Sequence, residues 1–427
     1  MRRKILARSI ASICLGLAML GLFTGAIALS TRLAASPEKI AHNYTNNNYT
    51  ASPKKTVTPT EIRGVWLTNV ASGVLFAPWG VNRALHQLAE LNFNTVYPVV
   101  WNRGNTFYPS SVSGQVTGSS QEPLLKLMRL GGDVLNEIIE ASDREGLRVI
   151  PWFEYGLMAP ASSELAKRHP DWLARTREGF SKENTSSNLP QLFRNPSLNR
   201  PIWLNPLHPQ VQQFILDLIL EVVVKYDIDG IQLDDHFGMP VEFGYDPWTV
   251  KLYQQEHNGR RPPKNYKNAK WMRWRADKIT DFMEQIVRAV KAAKPDCLVS
   301  VSPNSQEYSY QKYLQDWLAW VEKGLADELI LQVYRDDPSS FEAELDRSAA
   351  LLARRKIPVG IGLLSGTLLK PVDMARLQKQ VLKARDRHFD GVSFFYWESL
   401  WGYIAPESPS QRRRAFQELF DEPAIMP

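Results

Sequence analysis

Carboxylates stand near the ends of three short apolar runs in this sequence. Glu154 comes late in LRVIPWFEY, Asp234 follows the apolar part of DGIQLD, and Glu398 lies in GVSFFYWES. Two facing carboxyl groups can protonate a glycosidic oxygen and attack the sugar carbon, or activate water against it. We therefore predict acid/base or nucleophilic catalysis by Asp234, paired with either Glu398 or Glu154.

The alternation of side chains along a strand assigns the residues around Asp234 to two faces. In DGIQLDDHF the aliphatic residues share one face, while Gln232, Asp234 and His236 share the other. The aliphatic face is expected to contact helices, so Gln232 and Asp234 are predicted to point into the interior. His236 is predicted to donate a hydrogen bond to a sugar or to Asp234, and Asp235 to orient a neighbour or cap a loop.

Aromatic and amide side chains near the same strand ends form the predicted substrate-binding set. The apolar face of a pyranose stacks on tryptophan and tyrosine rings. Any single one of the 13 tryptophans is more often a packing residue, but their clustering near strand ends favours binding. The predicted substrate-binding residues are Gln232, Asp235, His236, Trp66, Trp152, Asn304, Gln332, Tyr334 and Trp397.

The histidine pattern does not indicate a metal site. The seven histidines show no HxH or HExxH spacing, so we predict no metal and no cofactor. A metal-dependent hydrolase that uses His208, His236 and the aspartates remains an alternative, and insensitivity to chelators would exclude it.

Eight short apolar runs alternate with helical patterns, which predicts the α/β class and a (β/α)8 TIM barrel. A doubly wound open sheet is the alternative, but TNVASGVLFAP after the first run lacks a Gly-rich phosphate loop. A long insertion after strand 3, from about residue 156 to 205, is expected to shape a substrate cleft. The predicted strands span 62–68, 93–101, 147–155, 229–235, 297–304, 328–335, 358–365 and 391–399. The predicted helices span 82–91, 132–146, 208–227 and 274–295.

The N-terminal region differs in composition from the rest of the chain. The uncharged run 9–29 follows four cations and is long enough to span a bilayer. Five cations and no acid lie in residues 1–36, so most of the formal net charge of +6 belongs there. The nearly neutral remainder argues against nucleic acid, so we predict no nucleic-acid partner. The predicted order is a signal peptide or N-terminal membrane anchor (1–35), a flexible linker (36–60), the barrel (61–405) and a C-terminal extension (406–427).

Three blocks of the sequence resemble glycosyl-hydrolase-like family 10, bacterial envelope proteins once catalogued as a domain of unknown function. The blocks are EIRGVWLTNV, the segment from WLNPLHPQV to DGIQLDDHF, and LILQVYR. The resemblance covers about residues 60 to 400 and implies a (β/α)8 barrel. One group of the family cleaves peptidoglycan glycan strands that have lost their stem peptides, which implies a periplasmic or cell-wall hydrolase.

A second, shorter resemblance concerns the role of Asp234. The run DGIQLD resembles the fourth-strand segment of α-amylases, which implies that Asp234 is a nucleophile. Gln232 stands where that pattern has a supporting arginine, so the role of general acid stays open for Asp234.

Two classes of function are consistent with these features. The first is a glycosidase that acts on a bacterial cell-envelope polysaccharide, with peptidoglycan glycan strands as the expected substrate. It would be exported to the periplasm or cell envelope, with attachment to the inner membrane if residues 1–35 are retained. The second is a non-catalytic glycan-binding barrel that holds the protein on the wall. Glycan binding without turnover, unchanged by Asp234→Asn, would favour the second.

Overall fold

The computed structural model of the chain describes residues 60–180, 201–367, 370–401 and 407–427. The predicted signal or anchor, and all of the predicted linker except Thr60, lie outside these ranges. None of the helices within the described ranges is long and apolar enough to cross a bilayer.

Eight parallel strands close into a barrel. They are β1 Ile62–Leu67, β2 Thr95–Asn102, β3 Trp152–Phe153, β4 Gly230–Asp234, β5 Leu298–Ser302, β6 Glu328–Gln332, β7 Val359–Leu364 and β8 Gly391–Phe395. β1 pairs with β2 on one side and with β8 on the other, so the strand order returns to its start. The predicted (β/α)8 barrel is confirmed, and the open-sheet alternative is wrong because the last strand, β8, pairs with the first and leaves the barrel without an edge.

The third strand of the barrel is interrupted near its start. The short strand Arg148–Val149 pairs with β2, and β3 pairs with β2 further along. Pro151 lies in the gap and has no N–H to donate to a sheet ladder. The far side of β3 is regular, with Trp152 beside Gln232 of β4.

Helices follow each strand, and the four helices predicted from periodicity are all present. Their limits come from capping: the Asp133 side chain accepts hydrogen bonds from two backbone amides, and Gly146 ends that helix with a φ of 70°. The long helices are Gly80–Ala89, Val134–Glu145, Pro209–Lys225, Pro247–Glu256, Ala269–Ala293, Met374–Asp386 and Pro409–Leu419. The shorter helices are Ser111–Thr117, Pro123–Met128, Glu164–Arg168, Gln306–Tyr313, Trp317–Glu322, Pro338–Leu345, Ser348–Ala353 and Trp397–Leu400.

The lower part of the barrel interior is filled by a polar network. Glu328 of β6 accepts hydrogen bonds from Tyr97 at 3.3 Å and Ser300 at 2.9 Å, and it pairs with Arg148. Tyr97, Ser300 and Glu328 are buried and Arg148 is partly buried, and the contacts among them offset their desolvation. The interior is therefore a packed core, and substrate can enter only above it.

The insertion after β3 forms its own small layer above the strands. Met158–Pro160 pairs antiparallel with Pro201–Trp203, and the 3₁₀ turn Pro170–Trp172 lies between them in sequence. Trp203, the last residue of the second of these strands, is buried. The insertion thus begins where the sequence predicts, directly beside the carboxyl end of β3.

The C-terminal segment is part of the barrel. Phe416 and Phe420 pack on Phe93 with ring-centroid separations of 5.5 and 5.2 Å, and Thr60 forms a parallel bridge with Ile425. Residues 407–427, which the sequence sets apart as an extension, therefore complete the outer layer after β8 and cover the amino-terminal end of the barrel.

Candidate active site

Two buried carboxylates lie on neighbouring strand ends. The register that places Trp152 beside Gln232 reaches Glu154 and Asp234 two residues later, and adjacent strands lie about 4.8 Å apart. Glu154 is 6% exposed and Asp234 is 2% exposed. Both belong to the predicted catalytic set, and the structure brings these two together at the carboxyl end of the barrel.

Glu154 is held by donors from two other strand ends. Its Oε2 accepts hydrogen bonds from Asn102 Nδ2 at 2.7 Å and from Thr68 Oγ1 at 3.1 Å. Burial raises the pKa of Glu154 to about 8, the charge of Asp234 adds to the rise, and the Thr68 hydrogen bond opposes it. Glu154 therefore retains its proton at neutral pH.

Asp234 is oriented by the residue two positions later. Its Oδ1 accepts a hydrogen bond from the backbone N–H of His236 at 2.9 Å, and its Oδ2 lies 3.3 Å from His236 Nδ1. Burial raises the pKa of Asp234 to about 7, while the imidazole of His236 favours the ionised form. Asp234 thus gives up its proton more readily than Glu154.

The imidazole of His236 joins two carboxylates and two aromatic rings. Its Nδ1 lies 3.0 Å from Asp235 Oδ1 as well as near Asp234. Burial alone would lower the pKa of His236, but the charges of Asp235 and Asp234 hold it well above its usual range. The ring centroid lies 4.7 Å from that of Tyr155 and 5.9 Å from that of Trp203.

Asp235 connects this group to the next strand end. Its Oδ2 accepts a hydrogen bond of 2.6 Å from Asn304 Nδ2, just beyond β5. Asp235 therefore orients both His236 and Asn304, which is the kind of role predicted for it. Asn304 contacts the site through Asp235.

Two predicted residues at the carboxyl end of the sixth strand, Gln332 and Tyr334, differ in what they contact. The Tyr334 ring packs against that of Phe395 at a centroid separation of 5.9 Å. Burial raises the pKa of Tyr334, and the charges of Asp235, Asp234 and Glu154 raise it further. Gln332 instead donates to the backbone carbonyl of Ser302 at 2.9 Å, which ties β6 to β5.

Three predicted substrate-binding residues form the base of the site. Trp66 is 1% exposed, and its Nε1 donates to Gln232 Oε1 at 2.7 Å. Gln232 Nε2 in turn donates to Ser300 Oγ at 3.0 Å, and Trp152 packs against Trp66 at 6.2 Å. Gln232 points inward as its strand parity predicts, but the two indole rings lie beneath the carboxylates and are covered.

Glu398 and Trp397 lie apart from the carboxylate pair. β8 ends at Phe395, and both residues belong to the short helix Trp397–Leu400. Glu398 Oε1 accepts hydrogen bonds from Gly73 N at 2.9 Å, from Val74 N at 3.0 Å, and from the Ser72 hydroxyl. Burial raises the pKa of Glu398 to about 7. Its contacts anchor the loop after β1, so the structure places Glu154 rather than Glu398 beside Asp234.

The barrel and its carboxylates agree with the sequence comparison. Residues 61–383 match the family described as glycosyl hydrolase-like 10. The chain belongs to this family. The match covers most of the barrel, including β1 through β7 and both members of the carboxylate pair.

Relatives of this family member are named as glycosyl hydrolases. "Glycosyl hydrolase YngK" of Bacillus subtilis is 24% identical over 311 residues, which is 64% of this chain and 54% of that protein. "Glycosyl hydrolase DigH" of Escherichia coli is 23% identical over 286 residues, 58% of this chain and 56% of that protein. The alignments thus span about half the length of these relatives.

The fold of the family member is shared with a solved glycoside hydrolase domain. The PgaB (BpsB) domain of Bordetella bronchiseptica superposes with a TM-score of 0.58 at 16% identity, covering 86% of this chain and 100% of that domain. At this identity the likeness establishes the fold alone.

One group of side chains in this glycosyl hydrolase-like 10 chain has the composition of a cation site. Among the described residues, ligand atoms of Asp234, Asp235 and His236 all lie within 4.8 Å of one another. The imidazole Nδ1 is, however, already within hydrogen-bonding distance of both carboxylates, and its raised pKa favours a proton there. The cluster is accounted for by its own hydrogen bonds.

Several contacts in this family member were missed by reasoning from the sequence. Thr68 and Asn102 hold Glu154, and Tyr155 and Trp203 contact the His236 ring. Thr68 ends the apolar run after β1, so its position at a strand end was a usable signal. Asn102 lies one residue beyond the predicted strand, and its role depends on the register between β2 and β3.

Proposed function

We propose that the chain is a glycosidase in which Glu154 is the general acid and Asp234 is the nucleophile or general base. The observation that carries this proposal is the pair of buried carboxylates on adjacent strand ends, with pKa values of about 8 and about 7. When the surroundings of two neighbouring carboxyl groups give them different pKa values, the group with the higher pKa can serve as the acid and the other as the base.

The proposed reaction uses each neighbour of the pair. Glu154 would give its proton to the glycosidic oxygen, and the ionised Asp234 would attack the anomeric carbon or take a proton from water. The imidazolium of His236 would stabilise the ionised Asp234 through the 3.3 Å contact. Tyr334, whose pKa the charges of all three carboxylates raise, would contact a sugar bound near them.

For the substrate we propose a bacterial cell-envelope polysaccharide, with peptidoglycan glycan strands that have lost their stem peptides as the first candidate. The family and the named relatives support glycoside hydrolysis, and the envelope substrate rests on the sequence resemblance and the predicted export signal. We also propose that the protein works in the periplasm or envelope, held by residues 1–35 if they are retained.

The test is turnover of peptide-free glycan strands by the wild type, Asp234→Asn, Glu154→Gln and Glu398→Gln, with fragments read by mass spectrometry. We expect fragments from the wild type and Glu398→Gln, and a loss of at least about 10²-fold in Asp234→Asn and Glu154→Gln. Glycan binding without fragments from any of the proteins would indicate the non-catalytic barrel instead.

A further inference from the structure

An exposed arginine lies beside the carboxylate pair at the carboxyl end of the barrel. β2 continues through a two-residue turn, Arg103 and Gly104, into the short antiparallel strand Asn105–Thr106. Asn102, the residue before Arg103, donates the hydrogen bond of 2.7 Å to Glu154. The side chain of Arg103 is nevertheless exposed. Its backbone is thus fixed next to the site while its charge remains open to the outside.

The backbone of this turn disfavours an arginine. Both central residues have a positive φ, 53° at Arg103 and 79° at Gly104, which is the pattern of a type I′ hairpin turn. The first position favours glycine, asparagine or aspartate, because most other L residues are strained in the left-handed conformation. An outlier of this kind beside an active site points to a function of its side chain.

The turn also packs closely against the insertion that follows β3. A Cβ atom added to Gly104 would lie 3.4 Å from Cβ of Ser163 and 3.6 Å from Cβ of Ala159, and both residues belong to the insertion. The turn is therefore held between β2 and the insertion, so that only the side chain of Arg103 is free to move.

The guanidinium of Arg103 lies over a ring that contacts His236. Its Cζ is 5.6 Å from the ring centroid of Tyr155, and that centroid is 4.7 Å from the centroid of the His236 imidazole. A cation–π contact extends to about 6 Å, so the Tyr155 ring orients the guanidinium only weakly. The charge of Arg103 also lowers the pKa of Glu154, against the larger effect of burial. The positive charge of Arg103 therefore acts on the active site.

No group of the described chain neutralises this charge. Within the described residues, the guanidinium of Arg103 forms neither an ion pair nor a hydrogen bond, and only its backbone carbonyl accepts, from Asn105 Nδ2 at 3.4 Å. The carboxylates of the site take their hydrogen bonds from other donors, and Glu154 keeps its proton at neutral pH. A planar guanidinium presents a fork of N–H donors that matches the two oxygens of a carboxylate. Arg103 thus has an unused carboxylate-binding group beside the pair.

We propose that Arg103 binds a carboxylate of the substrate, so that the chain cleaves an acidic polysaccharide next to a sugar that carries a carboxyl group. This inference rests on the proposed function and makes its substrate more specific. In a peptidoglycan strand the carboxyl group of the lactyl ether on each muramyl sugar is a neutral amide while the stem peptide is attached. Hydrolysis of that amide leaves a free carboxylate, and Arg103 then distinguishes stripped strands from peptide-bearing strands by charge. A uronic acid would offer the same group on a different glycan.

The experiment compares stripped glycan strands that have free lactyl carboxylates with the same strands after conversion of those carboxylates to methylamides. The full chain is used as wild type, Arg103→Gln, Arg103→Asn and Arg414→Gln, and kcat/KM is measured on both kinds of strand. Arg414 is the matched control, because it is exposed on the helix Pro409–Leu419 at the opposite end of the barrel. Oligosaccharides of a uronic acid serve as a third substrate.

We expect the wild type and Arg414→Gln to prefer the free carboxylates by roughly 10- to 100-fold in kcat/KM, which is the range of a hydrogen bond between charged groups. Both Arg103 variants should bring this ratio close to one. Arg103→Asn should also melt at the same temperature as the wild type or higher, because asparagine suits a φ of 53°. A lower melting temperature would mean that the arginine stabilises the turn, and would overturn the proposal.

The other outcomes separate the carboxylate site from the glycosidase itself. Equal turnover of both kinds of strand by the wild type would overturn the carboxylate site and leave the glycosidase intact. If no strand is cleaved, calorimetric binding of the same strands decides: a preference for free carboxylates that Arg103→Gln abolishes would support the site without the activity, and equal binding or none would overturn both. Cleavage of uronic acid oligosaccharides that depends on Arg103 would support the site and assign its carboxylate to that source.

Discussion

The side-chain amide of Asn102 donates a hydrogen bond of 2.7 Å to the same Oε2 of Glu154 that accepts from Thr68. The two donors come from the ends of β2 and β1, so three adjacent strands fix one carboxyl group. Hydrogen bonds to a carboxylate favour its ionised form and oppose the effect of burial. The proton affinity of Glu154 is thus set by residues that can be changed without touching the carboxyl itself.

Thr68→Val is expected to move the alkaline limit of activity upward. It removes a hydrogen bond that lowers the pKa of Glu154, so that pKa rises above its value of about 8 and the acid keeps its proton to higher pH. The measurement is kcat/KM against pH. Thr280→Val is the control, because Thr280 is buried between helices and accepts from Trp320. An equal displacement in both variants would contradict the assignment of Glu154 as the acid.

The wild-type pH profile should be a narrow bell. Asp234 must be ionised, so activity falls as pH drops below about 7. Glu154 must be protonated, so activity falls as pH rises above about 8. Initial rates across buffers of constant ionic strength test this shape, and full activity persisting well below the lower limit would remove Asp234 as nucleophile or base.

Glu154→Gln should stabilise the fold at alkaline pH. The folded carboxyl has a pKa of about 8 against an ordinary value of 4.5, so between these values the unfolded chain loses its proton first. The wild type therefore loses stability as pH rises through this window, while a glutamine does not titrate. We expect the free energy of unfolding of the variant to exceed that of the wild type by roughly 1–3 kcal/mol at pH above 8, and by little near pH 4.5.

Urea denaturation at the two pH values measures this difference. Glu418→Gln, on the exposed side of the helix Pro409–Leu419, serves as the control and should show no such trend. A difference in the free energy of unfolding between Glu154→Gln and the wild type that stays the same at both pH values would mean that the Glu154 carboxyl is ionised in the folded protein.

Glu398→Ala should loosen the loop after β1. It leaves the donors Ser72, Gly73 and Val74 without their shared acceptor, which we expect to cost roughly 2–4 kcal/mol of stability. Glu398→Gln retains an acceptor oxygen and should remain both folded and active. Thermal unfolding and turnover separate the two effects, and a folded Glu398→Gln protein as inactive as Asp234→Asn would return Glu398 to the catalytic pair.

The sequence was sufficient for the barrel and for the surroundings of Asp234. Alternation along β4 predicts that Gln232 points inward and that His236 meets Asp234, because both depend on local strand geometry alone. The alternation of eight apolar runs with helical patterns along the chain likewise predicts the closed barrel.

Reasoning from the sequence was less informative where a position depends on other strands. GVSFFYWES reads as one strand to Glu398, but the strand ends at Phe395 and a short helix directs Glu398 to the β1 loop. Trp66 and Trp152 are predicted to bind substrate, yet they are buried, and their depth follows from the stagger between neighbouring strands, which single-strand patterns do not contain. The partners Thr68 and Asn102 depend on the same stagger.

The bridge between Thr60 and Ile425 has a practical consequence for engineering. Thr60 and Ile425, near the two ends of the described part of the chain, meet at the end of the barrel opposite the carboxylates, so a short peptide could join these two segments directly. New termini opened at the exposed Gly131–Gly132 turn would then give a circular permutant that preserves every strand pairing. Such a permutant would present its ends on the same side of the barrel as Glu154 and Asp234, where a carbohydrate-binding module could be fused.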